Sequence, residues 1–392
     1  MSAPTAAPVG GKLVNRFFVF LLVLWALGTA AGLVRFTQGL GAASGMNDGY
    51  PWGIWIAIDV VVGTAFGSGG FAVALLVYLL NRRQFHPLMR PALLTAALGY
   101  TAGATAIVFD VGRYWNLWRV PIAPLVSDGK FIYNWNSGLL EVALCVMAYT
   151  AVLWVEVSPP ILARWREVGP GPLKALGTAL APLVRLVLPV ILALGLVLPM
   201  MHQSTLGSLF LISVTKLHKL WHTPLLPLLF LLSCVFMGYA AVVLETVLSA
   251  WSFGIRMETR LVAELTRIMA GVAFVFAGIR LLDVLLRGRL GLAFTSGFLS
   301  AVFWAEVILA VAGGAMLWRL KGTRDPGALY RFDVYVTAFN PGNGWRYFPA
   351  VGEILVTLGI IAVETMVFIF VVRRYPILAG GSSTPTAAGG RP

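Results

Sequence analysis

The sequence predicts an all-α fold, a polytopic bundle of about nine to ten transmembrane helices, and three observations select it. Apolar residues come in runs of the ~20 residues that a helix needs to cross the hydrocarbon core. Of the 392 residues, 59% are hydrophobic and 11% charged, with a mean hydropathy of +0.85; soluble domains carry roughly 25% charged residues. The Lys and Arg behind the net charge of +13 sit in short clusters between the apolar runs. That pattern reports membrane topology, with lipid as the surround, and argues against a nucleic-acid partner.

The elements follow in order. The first run, 16–34, comes after Lys12 and Arg16 and is too long for most signal peptides, so it is expected to remain as an anchor. Further spans are expected near 52–80, 91–110, 133–157, 184–204, 224–249, 262–286, 297–318 and 347–371. The bias of Lys and Arg between alternate loops puts the N-terminus in the cytoplasm. Nine spans would then leave the closing Arg373–Arg374 pair outside, against the same bias. The stretch "KGTRDPGALYRFDVYVTAFNPGNGWR" (321–346) carries too many charges for a lipid-facing helix. A half-length or re-entrant helix at about Ala328–Phe339, buried by other helices, would restore the topology. Residues 1–378 read as one integral membrane domain and 379–392 as a disordered tail.

Ionisable residues inside the spans carry the functional signal, because charges in the hydrocarbon are costly and usually line a cavity or bundle interior. Asp59, Asp110, Arg113, Tyr114, Glu141, His202, Arg280, Asp283, Glu306 and Glu353 are all expected in the outer half of the membrane. Together they suggest a shared polar cavity. The alternative is a set of separate interfacial or paired residues; Arg280 and Asp283, three apart on one helix, could simply pair. A sparser inner set, Glu156, Glu245 and Glu364, is either a proton path to the cytoplasm or a group of hydrogen-bonded packing carboxylates. In "VLPMMHQSTLGSLF" (197–210), His202 could serve as a metal or haem ligand, a proton-handling group or an interface marker. It is expected at the outer edge of the hydrocarbon, because the apolar run stops there.

Redox cofactors are limited by the inventory. Cys145 and Cys234 are too few for an iron–sulfur cluster, which takes four thiolates. His86 falls in an inner loop, and His218 and His222 are shallow, so no facing pair offers axial ligands for haem. No metal site is expected. The outer connections "NDGYPWGIW", "VGRYWNLW", "FIYNWNSG" and "NPGNGWRYFP" combine aromatic residues with Asn, Gly and Pro. An aromatic belt explains the rings; the Asn and Gly suggest structured loops against a partner or over a cavity mouth.

Several stretches also carry a family resemblance: "YPWGIWIAID" (50–59), "NRRQFHPLMRPALL" (81–94), "DVGRYWN" (110–116), "MHQSTLGSL" (201–209), "FWAEV" (303–307) and "AFNPGNGWRYFP" (338–349). Together they resemble the HybB branch of the NrfD-type membrane subunits over about residues 10–378. The resemblance implies paired four-helix bundles with extra helices, typically ten spans, against which 320–338 looks truncated. It implies a menaquinone site near the periplasmic surface of the bacterial inner membrane. Electrons would pass through a ferredoxin-like iron–sulfur subunit, itself bound to the small and large subunits of a nickel–iron hydrogenase. The family's site carries over to Asp59, Tyr114, Glu141 and His202, with Arg113 beside Tyr114 in the quinone-binding set. His202, Glu141 and Asp59 take the catalytic roles: His202 hydrogen-bonding a quinone carbonyl, Glu141 supplying its proton. The same subunit type serves molybdenum-dependent reductases, and a secondary transporter using these carboxylates is the alternative from a different class; no inverted repeat favours it.

Overall fold

A computed structural model describes residues 6–378, apart from 51, 123–132, 256, 320–330, 332 and 343. Among the described residues, nine helices are long and apolar enough to cross a membrane. In chain order they are α1 (Arg16–Gln38), α2 (Trp55–Leu79), α3 (Met89–Asp110), α4 (Gly138–Val168), α5 (Gly171–Ser208), α6 (Leu226–Phe253), α7 (Thr259–Leu286), α8 (Phe298–Arg319) and α9 (Val351–Arg374). Helices α2 to α5 pack as one group, and α6 to α8 form a second group joined to it through α2 and α5. The pair α1 and α9 lies against the first group along α3. The tail expected at 379–392 lies outside the described residues.

Helix starts follow local chemistry. Asn15 Oδ1 accepts the Phe18 N–H (2.8 Å) at the start of α1, and Ser137 Oγ accepts the Leu140 N–H (3.3 Å) at the start of α4. Each satisfies an orphan donor of a first turn. At α9 the buried Glu353 carboxylate accepts from the N–H groups of Ala350 (2.8 Å) and Gly45 (2.7 Å) and from the Tyr347 hydroxyl (2.7 Å). Its charge faces the positive end of the helix dipole. Burial and the neighbouring carboxylate hold the Tyr347 phenol well above its ordinary range, so it stays a donor. Glu353, expected in a shared outer cavity, is therefore a helix cap that staples two loops.

The second span is irregular. Its ends, Trp55–Val62 and Leu75–Leu79, are π-helical, and the chain breaks at Gly67–Ser68. Widened turns of this kind are frequent at functional sites. A Cβ on Gly238 of α6 would lie 2.9 Å from the Ser68 carbonyl, so only glycine lets the helices approach there. A similar approach joins α1 to α9, where a Cβ on Gly28 would lie 2.7 Å from Leu355 O. Small residues at such crossings supply the packing that lipid-embedded helices rely on.

Helices α4 and α5 outrun the spans 133–157 and 184–204 expected for them. They hold 31 and 38 residues and meet at Gly169–Pro170. At 1.5 Å per residue each is longer than the ~30 Å hydrocarbon core, so the hairpin projects beyond the membrane. Its base is tied to the segment after α9 by Trp165 Nε1, which donates to the Tyr375 hydroxyl (3.1 Å).

The two ends of the described chain meet. Val9 N–H donates to Val372 O (3.2 Å) and Gly10 N–H to Arg373 O (3.2 Å). The start of α1 and the end of α9 therefore share one face, the termini face, and the number of crossings is even. The helices long and apolar enough to span are nine among the described residues, an odd number, and most of the connection between Arg319 and Arg331 lies outside the described residues. Of the re-entrant helix expected at Ala328–Phe339, 328–330 and 332 lie outside the described residues; Asp333–Thr337 is a π-helical turn. Arg331, beside it, is fully buried in protein, and its guanidinium donates to Val61 O (2.8 Å), Phe230 O (2.6 Å) and Ser233 Oγ (3.1 Å). On the far face, His218 N–H bonds Ala338 O (2.9 Å), which joins the loop before α6 to the loop before α9.

Candidate functional site

His202 is the centre of a closed polar cluster. It lies six residues before the end of α5, and the helix runs on because its polar side chains find partners on other helices. Rather than the interface expected for it, His202 occupies the interior with no exposed surface. Nδ1 lies 2.7 Å from Leu198 O, one turn back; a carbonyl can only accept, so Nδ1 carries the hydrogen. The neutral ring then offers Nε2 as acceptor to the Tyr100 hydroxyl of α3, 2.7 Å away. Gln203 Nε2 donates to the same hydroxyl (3.1 Å) and to Thr64 Oγ1 of α2 (3.2 Å), while its Oε1 is buried without a partner among the described residues. Ser68 Oγ lies 3.3 Å from the Tyr100 oxygen, and Tyr149 of α4 meets the Tyr100 ring edge-on at 4.6 Å. Four helices thus converge on one hydroxyl–imidazole pair.

An aromatic lid closes the cluster toward the far face. Trp52, Phe210, Tyr335 and Phe339 pack together with centroids 4.6–6.2 Å apart. Tyr335 also donates to Leu206 O (3.2 Å) and receives the Trp52 Nε1–H on its own carbonyl (3.0 Å). Arg331 reaches in from the same returning segment, its guanidinium 5.0 Å from the Phe230 ring.

The other expected residues divide by place. Glu141 of α4 accepts from Thr205 Oγ1 (2.9 Å), three residues beyond His202 on α5. It therefore stands about 4.5 Å farther along the helix axis than the imidazole. Asp59, on the π-helical turn of α2, faces away from this cluster and accepts from Thr357 Oγ1 of α9 (2.7 Å). Tyr114 and Arg113 follow the end of α3: Tyr114 packs edge-on against Phe36 (4.8 Å), and Arg113 is exposed. Tyr100 is ten residues before that end, so Tyr114 lies at least ~15 Å along the axis from the His202 partner.

Arg280 and Asp283 do not pair with each other. Arg280 Nε reaches Glu306 (3.0 Å) with both side chains fully buried, and Trp221 Nε1 donates to the same carboxylate (3.0 Å). Asp283 accepts from Thr223 (2.8 Å) and pairs with Arg287, one turn on. The far-face loop 217–223 supplies both sets of extra partners and decides the pairing. Asp110, expected in the same outer set, is buried at the end of α3 with Oδ1 unpartnered among the described residues.

Glu156, Glu245 and Glu364 are not hydrogen-bonded to one another. Glu156 packs on Gly195, where a Cβ would lie 2.6 Å from its Oε1. Both Glu245 oxygens are buried with no hydrogen-bond partner among the described residues. Glu364 lines a lipid-side cleft. Cys145 and Cys234 are buried free thiols.

Haem does not fit these histidines. Both His202 nitrogens have protein partners; His218 and His222 sit in the far-face loop, and His86 is in the short helix Arg83–Leu88 before α3. Among the described residues, no three His, Cys, Asp or Glu side chains gather as a metal site. Six residues of the cluster, Thr64, Ser68, Tyr100, Tyr149, Gln203 and Arg331, were not candidates from sequence. A tyrosine in "LGYTAG" and a serine beside glycines carry no ionisable signal in an apolar run.

Comparison with known proteins adds the context. The family described as "Polysulphide reductase, NrfD" matches residues 42–322. An Escherichia coli K12 protein called "Probable Ni/Fe-hydrogenase 2 b-type cytochrome subunit" is 36% identical over 95% of this chain and 94% of its own length. A Nitratidesulfovibrio vulgaris protein is 32% identical over 91% and 92%. From the same organism, "Menaquinone reductase, integral membrane subunit" is 30% identical over 49% of this chain and 42% of that one.

Proposed function

Since this chain belongs to the NrfD family of polysulphide-reductase-type membrane proteins, we propose that it is the quinone-site subunit of a respiratory complex. In this reading it lies in a bacterial inner membrane with its termini face in the cytoplasm. A ferredoxin-like iron–sulfur subunit of a nickel–iron hydrogenase, with its small and large subunits, docks on the far, periplasmic face. Electrons pass from there to menaquinone, and this chain supplies position and protons.

The observation that carries the reading is the buried Tyr100–His202 pair with Gln203 on one side and Glu141 one turn on. Reduction of a quinone takes two protons, delivered to oxygens in an apolar slot by groups within hydrogen-bond reach. Imidazole has an ordinary pKa near 6.5 and can take or give a proton at Nε2. Tyr100 can pass its own proton and recover one. Glu141, partly exposed and toward the far face, connects the pair to that side. The relatives named for nickel–iron hydrogenase and menaquinone reductase support the same chemistry.

The test is His202→Ala in the assembled complex. We expect normal assembly and normal dye reduction by the donor enzyme, with quinone reduction down by about 10²-fold, the lower end for a lost acid–base group. Near-normal quinone kinetics in that variant would falsify the assignment.

A further inference from the structure

One well-formed cavity in the described structure does not touch the His202 cluster. It is a cleft of about 340 Å³ between α1, α3 and α9, with Trp154 of α4 at one edge. The rim carries Trp25 and Trp154, 45% and 37% exposed, so the cleft opens sideways onto lipid. Its walls are apolar except for Thr29, Thr101, Thr105 and Glu364. On α3 the two threonine hydroxyls donate to their own helix, Thr101 to Ala97 O (2.7 Å) and Thr105 to Thr101 O (2.8 Å). The Glu364 carboxyl has no hydrogen-bond donor or acceptor among the described residues.

Glu364 stands thirteen residues after the start of α9 and ten before its end. At 1.5 Å per residue it is ~20 Å from one end and ~15 Å from the other, mid-depth in the hydrocarbon. A carboxyl there, in a cleft lipid can enter, calls for a hydrogen-bond partner that the described residues do not provide. Phospholipid headgroups stay at the interface, and their acyl chains offer nothing at this depth. A neutral polar head on a polyprenyl chain does reach it. The volume is in the range of small-molecule pockets and leaves room for a bicyclic quinone head with the first part of its chain.

Resting on the quinone reading above, we propose that this cleft is a second quinone site, apart from the His202 cluster, where a prenylated quinone waits with a ring carbonyl accepting from the protonated Glu364 carboxyl and its chain leaving between Trp25 and Trp154. A seam of glycines separates the two places. A Cβ on Gly99 would lie 3.6 Å from Glu364 Oε1 and 3.3 Å from Gly67 Cα, and one on Gly67 would lie 3.1 Å from the Tyr100 ring. Glu364 and Tyr100 therefore face each other across two glycines, which places the waiting site next to the reacting one.

The test uses the complete complex purified from native membranes, with four readouts: menaquinone per complex by mass spectrometry, KM and kcat for a short-chain quinone, dye reduction by the donor enzyme, and peptides labelled by an azido-naphthoquinone. Ala102→Trp fills the cleft, and Thr105→Trp fills its exposed rim, where a large side chain is easily accommodated. Each should lower retained menaquinone and raise KM at least fivefold, with kcat within twofold and dye reduction unchanged. Glu364→Leu should do the same, whereas Glu364→Gln, whose amide still donates, should bind like the parent. In the unaltered complex, label should appear in 98–109 and 356–367. Unchanged quinone content and KM in the filled variants, including displacement of phospholipid alone, overturns the proposal, and so does label confined to other helices. His202→Ala separates the two readings: it should lose turnover and keep its retained quinone. If His202→Ala turns over normally while the cleft variants lose quinone, the His202 assignment falls and the cleft stands.

Discussion

At the scale of single residues, the chemistry of His202 is set by what holds it. With Nδ1–H directed to Leu198 O, only Nε2 remains for chemistry, and it points at Tyr100. Tyr100→Phe keeps the ring in its edge-on contact with Tyr149 and removes the one hydroxyl that His202, Gln203 and Ser68 share. We expect stable assembly and quinone reduction slowed by about 10-fold to 10²-fold, from loss of one proton-handling group; stopped assays against a dye control measure it. By contrast, Cys145→Ala with Cys234→Ala should leave quinone reduction within twofold, because both thiols are buried and free, and the Tyr100–His202 hydrogen bond does not run through Cys234, which lies beside Ser68. Activity at background in an assembled complex would reveal a redox role for them. Sequence singled out His202 and Glu141 because an ionisable group in an apolar run is conspicuous. Tyr100 and Thr64 were invisible, since hydroxyls on apolar helices are ordinary until their partners are known. Asp59 and Tyr114 stand in motifs near His202 in the family pattern, yet they sit on other faces of α2 and α3.

At the scale of elements, a charge can be placed on a helix from sequence, but its partner is chosen by packing. Arg280 and Asp283 share a face of α7, yet α8 and the 217–223 loop bring Glu306 and Thr223 between them. The Arg280–Glu306 pair is fully buried, and removing one member strands the other. Arg280→Ala should therefore destabilise the detergent-solubilised subunit by about 3–5 kcal/mol, while Arg280→Met with Glu306→Leu should recover most of it. Thermal unfolding followed by tryptophan fluorescence measures both; equal loss in the single and double variants would show that the pair itself is favourable. Helix lengths were legible to the hydrocarbon and no farther. Hydropathy ends where the lipid ends, whereas α4 and α5 continue into a projecting hairpin held by its own contacts and by Tyr375. The π-helical start of α2 left no trace in "YPWGIWIAID"; one of its carbonyls, Val61 O, is bonded from outside, by Arg331.

At the scale of the whole molecule, two questions remain coupled: how protons reach the site, and how many times the chain crosses. For the first, Glu245 is the informative acid. A carboxyl kept only for packing normally finds a well-made hydrogen bond, and Glu245 has only the Thr95 hydroxyl beside it, outside good hydrogen-bond geometry. Glu245→Gln should slow turnover several-fold with quinone retention unchanged; unaltered turnover and charge movement would return it to packing. For the second, fold class and nine of the crossings follow from apolar length alone. A tenth, expected on topology, would leave no such mark, because a passage through protein needs no apolar run: buried Arg331 is satisfied by carbonyls and a serine, where lipid would offer nothing. The bonds from Val9 and Gly10 to Val372 and Arg373 decide the parity. Reporter fusions test it directly. A fusion after residue 378 should report the same side as one at the N-terminus, the cytoplasm, with a cytoplasmic fluorescent protein bright and a periplasmic phosphatase silent. A fusion within the far-face loop at Gly288 should report the reverse. A phosphatase active after residue 378 but silent at the N-terminus would mean an odd number of crossings, and the passage through Arg331 would have to turn back before reaching the far face.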